Sequence, residues 1–226
     1  MSELNTSEYR ARRVLVVDDH PLIRYGLNLL IDQEDDLQVC GEAADVRDTR
    51  AALRQTQPDV VVLDLSLQAS NGIDLIKFIR SKYGQLPILV LSMHDEDIYA
   101  ERLLTAGANG YIMKQAPADQ FLMALRRVLS GGSYVSEHIR TRISERSAVG
   151  GRNQNGDLIE GLTHREFEVL ELIGRGRTTR QAAKSLNLSV KTVEAHKERI
   201  KKKLELKNSA QLAQFATNYL SIGAKR

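Results

Sequence analysis

Five short apolar runs, Val14 to Val17, Leu37 to Cys40, Val60 to Leu63, Ile88 to Leu91 and Tyr111 to Met113, recur through the first part of the chain with amphipathic stretches between them. Runs of this length are too short for buried helices, and their lack of polar alternation predicts strands covered on both faces. The intervening stretches carry apolar residues at helical spacing and predict helices over Leu22 to Ile31, Asp48 to Thr56, Gly72 to Lys82 and Ile98 to Ala106, with a fifth over Asp119 to Leu129. Strand and helix alternating five times admits few solutions. The expected fold class is α/β, a doubly wound five-stranded parallel sheet with helices on both faces.

Beyond Gly131-Gly132 the pattern changes. One short helix is expected near Glu137 to Ser144, followed by a linker over Ser147 to Gly161 that Gly150, Gly151, Gly156 and Gly161 punctuate. From Leu162 onward only helical periodicity remains, in four pieces: Thr163 to Ile173, Thr179 to Leu186, Val190 to Leu204 and Ala210 to Leu220. The expected division is a tail over 1–11, an α/β domain over 12–131, a connecting helix and linker over 132–160, and a small all-α four-helix domain over 161–226. Charge divides along the same line. Residues 1–138 carry 14 Lys/Arg against 20 Asp/Glu, whereas the remainder carries 18 against 9, so the acidic front and basic back suit different partners. A basic end serves a polyanion such as nucleic acid, although a solvated surface gives the same count. The lone Cys40, in an apolar run, is expected as a buried strand thiol in a reducing compartment. No apolar run approaches the roughly 18 residues that span a bilayer, and the first dozen residues lack the apolar middle of a signal peptide. The expected location is the cytoplasm, with no membrane partner.

In an open parallel sheet, ligands bind outside the carboxyl ends of the strands. Asp18 and Asp19 end the first run and Asp64 ends the third, so adjacent first and third strands would gather three carboxylates, raising one another's pKa unless a cation intervenes. A hard divalent ion such as Mg2+ is the natural remedy. Ser92 ends the fourth run and Tyr111 to Lys114 the fifth, adding a hydroxyl, an aromatic ring and an ammonium to the same rim. A carboxylate nucleophile, a metal and a lysine suffice for phosphoryl transfer, where the protein mainly positions groups and neutralises charge.

Residues 12–131 resemble the receiver domains of two-component response regulators, on Val16-Val17-Asp18-Asp19-His20-Pro21, on Asp64 with Gly72 eight residues later, on Ser92, and on Gly110-Tyr111-Ile112-Met113-Lys114. The resemblance implies Asp64 as acceptor of a phosphoryl group from a sensor histidine kinase, and Asp18, Asp19, Asp64 and the Ser66 carbonyl as the Mg2+ environment. It implies that Ser92 and Tyr111 shift on phosphorylation while Lys114 pairs with the phosphate. Gln68 and Gln115 stand where the family usually has proline.

In the helical domain, Thr163 and Glu166 have capping-box spacing, and Ser189 can cap a third helix after a turn at Asn187. On that helix Val190, Val193, Ile200 and Leu204 form the stripe expected to face the core. The opposite face carries Lys191, Glu194, Ala195, Glu198, Lys201 and Lys202, as expected of a helix in a major groove. The pattern from Leu162-Thr163-x-Arg165-Glu166 through Lys191-Thr192-Val193-Glu194-x-His196 to Lys203-Leu204 resembles the LuxR-type helix-turn-helix, and a receiver ahead of it resembles the NarL/FixJ class of response regulators. By position, Lys191, Thr192 and Lys201 are expected at the DNA backbone, and Glu194, Ala195 and Glu198 at base edges, where glutamate accepts from cytosine N4. His196 is either a phosphate or dimer contact or a half-buried structural histidine.

The resulting expectation is a DNA-binding transcriptional regulator, not an enzyme, switched by phosphorylation of Asp64, with a sensor kinase and double-stranded DNA as partners and a homodimer as the active form. Two alternatives stay open: a Mg2+-dependent phosphohydrolase, and a DNA-binding regulator whose receiver is controlled by a protein partner independently of phosphorylation.

Overall fold

A computed structural model of the chain describes residues 10–67, 72–148, 159 and 161–224, so Gln68 and most of the expected linker lie outside the described residues. The chain divides into two compact units, Met1–Ile139 and Arg140–Arg226. The first is built as β1 (Arg12–Val17), α1 (Pro21–Asp32), β2 (Leu37–Ala43), α2 (Val46–Thr56), β3 (Val60–Asp64), α3 (Gly72–Tyr83), β4 (Ile88–Ser92), α4 (Glu96–Thr105), β5 (Gly110–Met113) and α5 (Ala118–Leu129). Its strands are all parallel in the order β2-β1-β3-β4-β5, so the doubly wound sheet expected from the sequence is the one observed.

The order reverses between β1 and β3, which pair in register from Val14 with Val60 to Val17 with Leu63. That register sets the acids after β1 beside the acid ending β3. The core strands bury Val14 to Val17, Val60 to Leu63 and Ile88 to Leu91 almost completely, explaining why their sequences show no alternation. Cys40 is half-buried rather than buried, because β2 is an edge strand that pairs, among the described residues, with β1 alone. The opposite edge is covered by the chain after α5: Tyr134 donates its amide to the Asn109 carbonyl (3.1 Å) and accepts from the Tyr111 amide (2.8 Å). That pairing covers the start of the β5 edge.

Helix α6 (Glu137–Ala148) starts in this unit and runs a turn beyond the expected Ser144, so Ser147 is helical rather than linker. The second unit contains α7 (His164–Gly174), α8 (Thr179–Ser185), α9 (Val190–Lys203) and α10 (Ser209–Ala224). Thr163 and Glu166 form the expected capping box. Thr178 and Gln181 form a second one at α8, and Ser189 caps α9 through the Thr192 amide at 3.0 Å. Asn187 supplies the positive φ, 53°, that the turn between α8 and α9 requires. Val193, Ile200 and Leu204 face the core as expected, but Val190 is 46% exposed. It sits in the first turn of α9, before the helix meets its neighbours.

Helices α7 and α10 cross at Gly174. A Cβ there would stand 2.6 Å from the Ala216 carbonyl oxygen and 2.9 Å from its carbon, both backbone atoms that cannot rotate away. Gly174→Ala should therefore force the helices apart and cost about 1–3 kcal/mol, read as a lower urea midpoint of the second unit. An unchanged midpoint would mean that the crossing is loose.

Candidate functional site

Asp18 follows β1 directly, Asp64 ends β3, and both are 1% exposed. Lys114, one residue past β5, reaches across β4's end to place Nζ 2.6 Å from Asp18 Oδ2 and 3.0 Å from Asp64 Oδ2. Its side chain is 8% exposed. The cation that reconciles these acids is thus provided by the protein itself. Burial pushes the Asp64 carboxyl above its ordinary range, against the pull of the Lys114 ammonium and helped by the Asp18 charge. Burial also opposes the Lys114 charge, but the hydrogen bond to Asp18 and the proximity of Asp64 outweigh it and hold its pKa above the usual value.

Asp19 and His20 complete the rim. Ligand atoms of Asp18, Asp19, His20 and Asp64 all lie within 4.8 Å of one another, and the His20 ring Nδ1 is 2.8 Å from Asp19 Oδ1 and 3.2 Å from Asp18 Oδ1. The three carboxylates gather hard oxygen donors, a donor set that fits Mg2+. His20 was missed by sequence reasoning, although its position beside Asp18-Asp19 was a signal.

The remaining rim residues fall where the strand ends predict. Asp64 Oδ1 accepts the Ser66 amide at 3.1 Å, which turns the loop after β3. Ser92 is buried at the end of β4, and its Oγ accepts the His94 amide at 3.2 Å. Tyr111 is fully buried and donates its hydroxyl to the His94 carbonyl at 2.8 Å. His94 also places Nε2 3.3 Å from Ser66 Oγ, so one loop residue touches the loop after β3, Ser92 and Tyr111. No sequence signal marked His94, because its contacts come from three separate strand ends. Beside Tyr111 lies a cavity of about 280 Å³, lined in part by Met113, Gln115, Tyr134 and Ser136.

In the second unit, α9 exposes Lys191, Glu194, Ala195, Glu198 and Lys202 and leaves Thr192 and Lys201 half-buried. Lys201 pairs with Glu198 at 2.9 Å, and Thr192 Oγ1 is 2.7 Å from Ser189 Oγ at the helix start. Glu194 Oε1 accepts from Lys197 Nζ at 2.9 Å and from Thr179 Oγ1 at 2.8 Å, contacts that the sequence pattern did not foretell. These hydrogen bonds, that of Lys197 before that of Thr179, hold the Glu194 pKa below its ordinary value. His196 is half-buried, and burial, with Arg199 next in effect, lowers its pKa from 6.5. At neutral pH it therefore offers hydrogen bonds rather than a charge.

Residues 14–126 match the response regulator receiver domain family, and residues 160–216 match the family of bacterial regulatory proteins of the luxR type. Over 208 residues the chain is 34% identical to the oxygen regulatory protein NreC of Staphylococcus carnosus, spanning 90% of this chain and 96% of that one. Among solved structures it is similar to RcsB from Salmonella enterica serovar Typhimurium bound to a promoter in the presence of the phosphomimetic BeF3-, with a TM-score of 0.56 at 28% identity over 94% of this chain and 98% of that one. A LuxR-family two-component response regulator from Aurantimonas sp. SI85-9A1 gives a TM-score of 0.57 at 34% identity over 62% of this chain and 99% of that one. No helix among the described residues is long and apolar enough to cross a membrane.

Proposed function

Because this chain belongs to the DNA-binding response regulators of the NarL/FixJ class, with a receiver domain followed by a LuxR-type helix-turn-helix, we propose that Asp64 is its phosphoryl acceptor and that the acceptor's charge controls DNA binding. The observation that carries this reading is the convergence of Asp18, Asp64 and Lys114 Nζ at the sheet's reversal point, with contacts of 2.6 and 3.0 Å. The domain limits proposed are 12–131 for the receiver, 132–160 for the connection and 161–226 for the helix-turn-helix.

A carboxylate oxygen of Asp64 attacks the phosphorus of a kinase phosphohistidine. The P–N bond breaks, and the imidazole nitrogen keeps the electron pair and takes up a proton. Asp18, Asp19, Asp64 and the Ser66 carbonyl would hold Mg2+, which when bound neutralises charge on the phosphoryl oxygens. Lys114, relieved of Asp64's charge, supplies its ammonium to those oxygens. Hydrolysis of the acyl phosphate by water returns Asp64, so the protein resets itself without acting on other substrates. Phosphorylation replaces the single carboxylate charge of Asp64 with nearly two on the phosphoryl oxygens, a net gain of about one, and reorganises Ser92 and Tyr111, whose hydroxyls meet the loop at His94.

On the DNA side, Lys191, Thr192 and Lys201 contact phosphates, while Glu194, Ala195 and Glu198 face base edges and His196 contributes as a neutral group. Two copies joined as a homodimer engage half-sites about one helical turn apart, roughly 34–36 Å. The sensor kinase and duplex DNA are the partners, and the cytoplasm is the setting where both are met. Incubation with acetyl phosphate and Mg2+, followed by intact mass and DNA affinity measurements, tests the assignment. Wild type should gain one phosphoryl group and bind DNA more tightly, and Asp64→Ala should do neither. A response to phosphoryl donor that survives the substitution defeats it.

A further inference from the structure

We infer that Thr179, Glu194 and Lys197 form a locked hydrogen-bond acceptor that makes the chain select cytosine at one position of each DNA half-site. The inference deepens the DNA-binding reading above and rests on it. Thr179 opens α8, and Glu194 and Lys197 lie one turn apart on α9, so the cluster ties the scaffold helix to the helix assigned to the groove. It closes on itself. Lys197 Nζ donates to Glu194 Oε1 at 2.9 Å and to Thr179 Oγ1 at 3.1 Å, and the Thr179 hydroxyl donates to the same Oε1 at 2.8 Å.

Three physical consequences follow from that triangle. A glutamate free to rotate would be turned away from DNA by phosphate repulsion, but here an ammonium 2.9 Å away offsets its charge. The Lys197 side chain is 16% exposed and the Glu194 side chain 47%, so the cation is tucked beneath a carboxylate that still meets solvent. Both donors converge on Oε1, which pins that oxygen against α8 before DNA arrives and leaves Oε2 to accept from a base. Ordering the side chain in advance removes a cost that binding would otherwise bear.

An oriented carboxylate accepts and cannot donate. In the major groove cytosine presents the N4 amine without an adjacent acceptor, whereas adenine sets the N7 lone pair beside its N6 amine, and guanine and thymine present acceptors. Carboxylate repulsion from those acceptors excludes three bases of four, so the choice comes as much from rejection as from attraction.

The test is selection of bound duplexes from random DNA by the full-length protein after treatment with acetyl phosphate and Mg2+, in wild type, Glu194→Ala, Glu194→Gln and Thr179→Val. Wild type should show cytosine at one position per half-site, favoured about fivefold or more over other bases. Glu194→Ala should erase the preference there and leave the other positions intact, and Thr179→Val should weaken it without moving it. Glu194→Gln separates a locked side chain from a mobile one. If the triangle holds the amide oxygen, the amide nitrogen faces the base and the preference moves to guanine or thymine. A move to adenine, which a freely turning glutamine contacts through both groups, overturns the lock, as does a Glu194→Ala profile identical to wild type. Failure of wild type to select any sequence would instead defeat the DNA-binding reading and this inference with it.

Discussion

Lys114→Met is expected to abolish the response of DNA binding to a phosphoryl donor and to lower the stability of the metal-free protein by about 3–5 kcal/mol at neutral pH. The lysine is nearly buried between Asp18 and Asp64, and removing it leaves two carboxylates, each about 1% exposed, with no cation between them. Breaking a buried pair costs more than the pair contributes, because the remaining charge stays desolvated. The pH dependence has a definite sign. Asp64 has a folded-state pKa above its unfolded value of 3.8, so the cost of ionising it is absent below 3.8 and sets in as pH rises through the folded value. Loss of Lys114 moves that folded value further up, so the deficit relative to wild type should be largest at and above neutral pH and shrink on acidification. Added Mg2+ should restore part of the stability, since a divalent ion takes over the neutralising role. Urea midpoints at neutral and mildly acidic pH, with chelator and with Mg2+, check this. A deficit that is the same at both pH values and insensitive to Mg2+ would show that Lys114 matters through packing alone.

How much of this arrangement could be read from sequence follows from the distance over which each feature is specified. The strand runs were legible because a strand buried on both faces needs uninterrupted apolar residues, and Asp18, Asp64 and Ser92 were legible because each terminates such a run. Their meeting depended on one topological fact, the pairing of β1 with β3, which the alternation of elements permits and the sheet order fixes. The Thr163–Glu166 box was legible at three-residue spacing, whereas the Thr178–Gln181 box escaped notice because glutamine carries no charge to flag it. Cys40 and Val190 were placed too deep for a common reason. Apolar character says that a side chain prefers burial, but an edge strand and the first turn of a helix lack the neighbours to provide it. Contacts such as Thr179 with Glu194, fifteen residues apart, depend on how two helices cross and leave no periodic trace.

The same limit applies to Glu166, whose local role was legible and whose distant one was not. Within α7 its Oε2 accepts the Thr163 amide at 2.8 Å, while its own amide donates to Thr163 Oγ1 at 3.2 Å. From the far end of α9, Lys203 Nζ approaches Oε2 to 2.6 Å and Arg199 lies 3.9 Å from Oε1. Burial pushes the Glu166 pKa up, but the Lys203 hydrogen bond and the Thr163 amide outweigh it and hold the pKa below 4.5. Glu166→Ala keeps the N-cap bond from its own amide to Thr163 but removes the reciprocal half of the capping box, worth about 1 kcal/mol, and a hydrogen-bonded charge pair as well. Lys203 is 37% exposed and returns to water without its partner, so the pair is discounted and the total loss is about 2–3 kcal/mol. For a helical unit this small, that is a large share of its stability. Its share due to the charge is fully present above 4.5 and lost as pH falls through the folded pKa, so wild type and Glu166→Gln should converge on acidification. Glu166→Gln keeps the capping oxygen and should lose less than Glu166→Ala at neutral pH. Hydrogen exchange of α7 and α9 amides in the full-length chain, measured against pH and urea, reports both losses. Equal protection in wild type and Glu166→Ala at neutral pH would mean that the junction of α7 and α9 is held by burial of apolar side chains such as Phe167, Val193 and Ile200 alone.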